Sequence, residues 1–218
     1  MDAEAVLPSP SNVARQFARG CSRVIDLCGA LMAGIMVLPL ILVAILAIKL
    51  VDPGPAFYIQ KRQGKGGHLF PFFKLRSMRM GSDVWLSNYL AQNPEAKDPR
   101  IHRDARDPRI LPVVGVWLRR YSIDELPQIW NVVRGDMALV GPRALPDYHC
   151  KLLEPEFLAL RTRVRPGITG LWQIEGRSNA DPANILIYDL RYLREWSLGN
   201  DLQILWRTVG CVVRGSGL

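Results

Sequence analysis

The sequence lacks the signatures of several common chemistries. Its four cysteines, Cys21, Cys28, Cys150 and Cys211, form no Cys-x-x-Cys pair, so neither a thiolate zinc site nor a disulfide framework is indicated and a reducing, cytosol-facing domain is expected. His68, His102 and His149 show no metal-ligand spacing, and each reads as a surface or hydrogen-bonded polar residue. No G-x-x-x-x-G-K-[ST] motif is present; Gly64-Lys65-Gly66-Gly67 reads instead as a hairpin turn. A dinucleotide fingerprint is also missing, which argues against a nicotinamide or flavin enzyme. Two further absences are local. No charged residue occurs from Leu27 to Ile48, and no acidic one from Lys61 to Gly81.

The first of these gaps is long enough to reach roughly 33 Å as a helix, about the hydrocarbon thickness of a bilayer. It is too long for the apolar part of a signal peptide, and no small-residue cleavage site follows it. Pro39 falls near its middle, where a proline removes a helix hydrogen bond and obliges a kink. Arg15, Arg19 and Arg23 precede the run at helical spacing; Lys49, Lys61, Arg62 and Lys65 follow it. With positive charge on both sides, the positive-inside rule prefers neither orientation of a single span. The residues alone leave open a kinked spanning helix and a re-entrant one that dips in and returns. A chain of 218 residues otherwise holds one domain of ordinary size. Residues 1–12 read as a tail.

The second gap collects Lys61, Arg62, Lys65, Lys74, Arg76 and Arg79, interleaved with Phe70, Phe72 and Phe73. With a net charge of +8, this predicts an anionic partner. Such interleaving suits single-stranded nucleic acid, but beside a membrane segment it more economically suits lipid headgroups and a phosphate substrate. Asp52-Pro53-Gly54-Pro55 is a rigid turn and Ala56–Gln60 a short strand. Helices are expected over about Val84–Ala91, Val113–Tyr121 and Glu154–Arg163, with Val113, Val116 and Trp117 as core residues. A glycine-punctuated loop is expected over Pro166–Gln173. The C-terminal part is helical, with Leu202, Leu205, Trp206, Val209, Val212 and Val213 on one stripe and Arg207 and Arg214 beside it. That stripe suits either core packing or a membrane interface.

Chemistry concentrates around Arg119-Arg120-Tyr121-Ser122-Ile123-Asp124-Glu125-Leu126-Pro127-Gln128, continuing through Asn131, Gly135-Asp136 and Val140-Gly141-Pro142-Arg143. Pro127 belongs in the first turn of a helix, so a helix should begin at Ser122 or Asp124, with Asp124 the better cap. A purely structural reading makes Ser122-x-x-Glu125 a capping box. The functional reading sets Asp124 and Glu125 at a phosphate site flanked by Arg119, Arg120 and Arg143. There the cations would keep the carboxylates ionised and neutralise the phosphate oxygens that a carboxylate nucleophile must approach.

Ile123-Asp124-Glu125-Leu126-Pro127-Gln128, Asn131-Val132, Gly135-Asp136-Met137, Val140-Gly141-Pro142-Arg143, Arg165-Pro166-Gly167-Ile168-Thr169-Gly170 and Gly176-Arg177-Ser178 together resemble the bacterial sugar transferase family. These are the monotopic phosphoglycosyl transferases that begin surface-glycan assembly. The likeness runs in order from about residue 24 to the C-terminus. Lys74-Leu75-Arg76-Ser77-Met78 is similar to the family's Lys-Phe-Arg-Thr-Met signature.

The resemblance implies an α+β, mainly helical fold: a tail and basic approach over 1–23, a re-entrant membrane helix broken at Pro39 over 24–50, and a cytosolic, membrane-associated catalytic domain over 51–218 with short strands and interfacial amphipathic helices. It implies transfer of a sugar 1-phosphate from a UDP-sugar to undecaprenyl phosphate at the bacterial inner membrane, with UMP released through an aspartyl intermediate. Asp124 would be the nucleophile, and Asp124 and Glu125 would hold Mg²⁺. Lys74, Arg76, Arg119, Pro142, Arg143 and Arg177 would bind phosphates or nucleotide. Inner-membrane lipid and downstream glycosyltransferases would be partners, and nucleic acid would not. Two departures stand out: Leu38-Pro39 where the family has Ser-Pro, and Pro142-Arg143-Ala144 where it has Pro-Arg-Pro. The competing reading is a non-catalytic, membrane-anchored protein that binds anionic lipid or nucleic acid.

Overall fold

The computed structural model describes residues 12–93, 107–151, 153–176 and 182–215, with backbone alone for 12–21 and 182–184. Arg177, residues 1–11 and the segment with His102 lie outside the described residues. The chain opens on α1, Asn12–Val51, a 40-residue helix that carries Pro39 inside it. Among the described residues it alone is long and apolar enough to cross a membrane, over Ser22–Val51 with a mean hydropathy of 2.9. The helix continues through Pro39 as one unit, without the sharp break expected there.

One stripe of α1 packs on the rest of the chain. Ala30 joins Phe70, Phe72, Val132, Met137 and Ala144 in one core cluster, and Ala44 and Ile48 join Leu75, Leu111 and Leu118 in a second. Small residues permit the approach: a Cβ on Gly29 would stand 2.8 Å from Leu139 Cδ1. Between Ala30 and Ala44 no residue is buried, and Ile35 and Met36 are 76% and 78% exposed. Asp26 accepts a hydrogen bond from the Leu139 N–H at 2.9 Å, which ties the start of the apolar stretch to the domain.

After the Asp52-Pro53-Gly54-Pro55 turn come β1, Phe57–Gln63, and β2, Leu69–Leu75, an antiparallel hairpin in the register Phe57↔Leu75 to Gln63↔Leu69. The glycine-rich segment between them is the hairpin turn expected from sequence. Helix α2, Ser82–Gln92, and helix α3, Val114–Arg120, follow. α3 turns Gly115 and Leu118 inward and leaves Val113 and Trp117 70% and 56% exposed, so these two are not core residues. Helix α4, Gln128–Arg134, leads to β3, Ala138–Val140. Helix α5, Asp147–Cys150, and helix α6, Pro155–Arg161, then precede β4, Gly167–Thr169.

β3 and β4 pair in parallel, Ala138↔Gly167 and Val140↔Thr169, where a loop was expected. Glycine makes this contact possible, since a Cβ on Gly167 would meet the Gly141 nitrogen at 2.1 Å. The same segment continues into helix α7, Leu171–Glu175. The glycines between Pro166 and Gly170 thus serve backbone approach rather than a free loop.

Helices α8, Pro182–Glu195, and α9, Leu198–Val213, close the described chain. They are joined through Asp201, which accepts from the Tyr192 hydroxyl at 3.0 Å and from Trp196 Nε1 at 3.1 Å. Burial, with the Asp26 carboxylate adding to it, pushes Asp201 up to about 6 against those two donors. The folded protein therefore holds this proton more tightly than the unfolded chain does. The group's contribution to stability is full below about pH 3.8 and is lost as pH rises through about 6. Asp201→Asn, which does not titrate, should remove that falling part of the stability–pH curve in detergent denaturation. An unchanged slope would assign the titration to another group. On the far side of α9, Leu202, Trp206, Val209 and Val213 are 58–80% exposed, so most of the apolar stripe faces away from the core.

Candidate active site

The Asp-Glu pair does not sit in the first turn of a helix. Ser122 adopts a left-handed conformation with φ 54° and makes no side-chain cap, Ile123–Glu125 forms one 3₁₀ turn, and α4 starts only at Gln128 behind Pro127. The reason lies in Pro127, which has no N–H to give and whose ring crowds the carbonyl four residues back, that of Ile123. Hydrogen bonds tighten to three-residue spacing instead: Leu126 N–H to Ile123 at 3.2 Å, and Trp130 N–H to Pro127 at 3.1 Å. The consequence is that both carboxylates project from a tight turn toward β2.

There they meet Lys74, near the end of β2. Its Nζ stands 2.9 Å from Glu125 Oε1 and 3.6 Å from Asp124 Oδ2. Arg143 Nη2 donates to the same Glu125 oxygen at 2.9 Å. All four side chains are 18% exposed or less. Burial works to raise the Glu125 pKa, but Arg143 and Lys74 outweigh it and hold the carboxyl well below the usual carboxylate range. Both ends of this constellation are pinned. Asn131 on α4 donates to the Pro71 carbonyl at 2.7 Å and accepts from the Phe73 N–H at 3.2 Å, which fixes β2 beside the turn. That is the physical task of the asparagine in the Asn-Val motif.

Arg143 follows Pro142, which is buried and whose carbonyl accepts from the Gly167 N–H at 2.9 Å. Its guanidinium lies 5.2 Å from the Trp172 ring centre. Behind it, Arg62 is buried over the Phe72 ring at 4.0 Å and donates to the Ala144 carbonyl at 2.5 Å. Burial and the nearby Arg143 bring Arg62 down to about 10, so it stays charged at neutral pH.

The remaining site candidates are distributed differently. Arg76 does not join the dyad: its side chain is 5% exposed and pairs with Asp52 at 3.0 Å, while it also donates to the Asp52 carbonyl, so it anchors the turn where α1 ends. Arg119 is half-buried in the last turn of α3, near the buried Asp107–Arg109 pair, whose partners are 2.6 Å apart. Pro39 lies on the exposed part of α1. Sequence reasoning missed Asn131 as a pin, and missed Arg62, Arg161 and Asp189 as buried charges behind Arg143. Asp189 had a signal, an acid among Ile185, Tyr188 and Tyr192 on the inward face of an amphipathic helix.

Asp124 and Glu125 offer hard oxygen donors, and one or two carboxylates completed by substrate phosphates is an ordinary ligand set for Mg²⁺. Among the described residues no group of three His, Cys, Asp or Glu gathers to hold a metal by protein alone. One Glu125 oxygen already serves two cations, so Asp124 and the substrate would supply most of any such shell.

The sequence model of a family described as bacterial sugar transferase matches residues 17–215. The undecaprenyl-phosphate galactose phosphotransferase of Salmonella typhimurium is 37% identical over 213 residues, covering 95% of this chain and 43% of that protein. The exopolysaccharide production protein ExoY of Rhizobium meliloti is 36% identical over 214 residues, covering 96% of this chain and 94% of that one. A UDP-glucose:undecaprenyl-phosphate glucose-1-phosphate transferase of Caulobacter vibrioides is 42% identical over 196 residues, covering 86% and 67%. The chain thus spans less than half of the Salmonella relative and nearly all of ExoY.

Proposed function

This chain belongs to the bacterial sugar transferase family, and from that premise we propose that it transfers a sugar 1-phosphate from a UDP-sugar to undecaprenyl phosphate, releasing UMP, as the first membrane step of surface-polysaccharide synthesis. The observation that carries the reading is the turn that sets Asp124 and Glu125 against Lys74 and Arg143, beside a helix whose outer face is apolar and exposed. The names of the Salmonella and Caulobacter relatives supply the acceptor, and that of the Caulobacter relative also supplies the donor class.

In this mechanism Asp124 is the nucleophile. Glu125 is engaged by two cations at 2.9 Å, which makes it the poorer attacking group, and Asp124 lies 3.6 Å from Lys74. A carboxylate oxygen of Asp124 forms a bond to the sugar-bearing phosphorus as the anhydride bond to UMP breaks. An oxygen of undecaprenyl phosphate then attacks that phosphorus, and the carboxylate leaves. Lys74 and Arg143 neutralise the phosphate oxygens, which otherwise repel an anionic nucleophile. Arg119 and Arg177 are further candidates for phosphate contact, and Arg76 supports the site from the α1 exit. Mg²⁺, when bound, would add charge neutralisation at the phosphates.

The membrane reading rests on α1. Its residues before and after Pro39 pack on the same domain, through Ala30 on one side and Ile41, Ala44 and Ile48 on the other. A dip and return requires a break in α1, and Pro39, in the middle of the uncharged run, is the residue at which one would open. The exposed face of α9 would lie in the interface. The cytoplasmic face of the inner membrane is where a soluble nucleotide sugar meets the lipid acceptor.

The test is nucleotide release by purified protein in nanodiscs with Mg²⁺, undecaprenyl phosphate and a panel of UDP-sugars. UMP formed with one donor establishes the reaction and names the sugar. Folded, lipid-bound protein that releases none across the panel would defeat the proposal.

A further inference from the structure

Arg161, at the end of α6, and Asp189, within α8, form an ion pair at 2.7 Å with both side chains 4% exposed. Arg161 also grips the backbone of a third residue: its Nη2 donates to the Arg143 carbonyl at 2.6 Å. The next carbonyl, that of Ala144, is held by buried Arg62. Buried ion pairs are poor devices for stability alone, because desolvation offsets most of their attraction. What such a pair supplies is fixed geometry. Here it acts on a turn that has alanine, not a second proline, after its arginine.

We infer that the Arg161–Asp189 pair is a positioning clamp for Arg143, Asp189 fixing Arg161 and Arg161 holding the Arg143 carbonyl, so that the Arg143 guanidinium stays on Glu125 and faces the substrate phosphates. The inference rests on the transferase reading above. Arg161 and Asp189 touch no substrate; they act through Arg143.

A double-mutant cycle on UMP release separates this from a merely structural role. Arg161→Lys keeps the charge and loses the two-pronged fork. It should lower kcat/KM about 100-fold in the parent, the scale expected when a catalytic group is displaced by about an ångström. In an Arg143→Ala background the same change should cost no more than about twofold. The KM for the UDP-sugar should also rise in Arg161→Lys, because Arg143 faces the donor phosphates; a smaller folded fraction would lower kcat and leave KM in place. Equal losses in both backgrounds, or no loss in the parent, would overturn the clamp. If Arg161→Lys lacks a cooperative thermal transition, Asp189→Asn, which preserves volume, enters the same cycle. Loss of folding in both variants would make the pair a requirement of the fold and defeat its role as a positioning device. A parent that releases no UMP fails the transferase reading itself and takes the clamp with it.

Discussion

Asp124→Asn should reduce UMP release by about 10³-fold or more while leaving the protein folded and membrane-bound. An amide of the same shape keeps the 3₁₀ turn between Ser122 and Leu126, whose hydrogen bonds are made by backbone groups. It removes the negative oxygen that must form the bond to phosphorus, and losing a covalent nucleophile typically removes most of the rate enhancement. The measurement is single-turnover UMP formation with the active donor, beside vesicle co-sedimentation. Retained turnover within about tenfold would take the nucleophile's role from Asp124. The next candidate would be Glu125, which its two cations make a poorer attacking group.

Glu125→Gln should damage stability and activity together. The parent balances Lys74 and Arg143 with one carboxylate at 2.9 Å from each. The variant leaves those cations facing each other and Arg62 with less compensating charge, that of Asp124 at 3.6 Å from Lys74. Removing one partner of a buried ion pair costs about 3 kcal/mol, and displaced phosphate-binding cations should lower kcat about 100-fold or more. The pH dependence identifies the cause. The folded-state value of Glu125 is held below the ordinary 4.5, so its contribution is present above that pH and is lost as pH falls through the lower folded value. The stability gap between parent and variant should be full at neutral pH and close in acid. A gap that persists undiminished in strong acid would trace the damage to packing, not to charge.

Reading the residues alone located the dyad, but its local geometry came out differently. Ser122-x-x-Glu125 matched a capping box, yet the ring of Pro127 sets a 3₁₀ turn before α4 and leaves Ser122 with a positive φ. Lys74 and Arg76 sit two residues apart in one signature, and the end of β2 between them separates them. Lys74 reaches Glu125, while Arg76 turns to Asp52. Side chains of neighbouring strand residues point to opposite faces, so a motif two residues wide would put both on one face only if the strand ran regularly to its end; β2 stops at Leu75. The Pro166–Gln173 glycines read as a loop, because parallel pairing with β3 depends on a contact across the chain between Gly141 and Gly167.

What the sequence by itself determined is therefore chemical and local: an uncharged stretch that needs lipid, a basic hairpin, two adjacent carboxylates and the arginine after a Gly-Pro turn. These follow from residue type and short spacing, which propensity and periodicity report directly. Tertiary structure alone decided which charges meet. Lys74 reaches Glu125 across 51 residues, Asp26 reaches the Leu139 N–H across 113, and Arg161 joins Asp189 across 28 while it donates to the Arg143 carbonyl. Such pairings exist only once burial has made an unpartnered charge too costly to leave, and that cost is set by the packed interior, where no local pattern can register it.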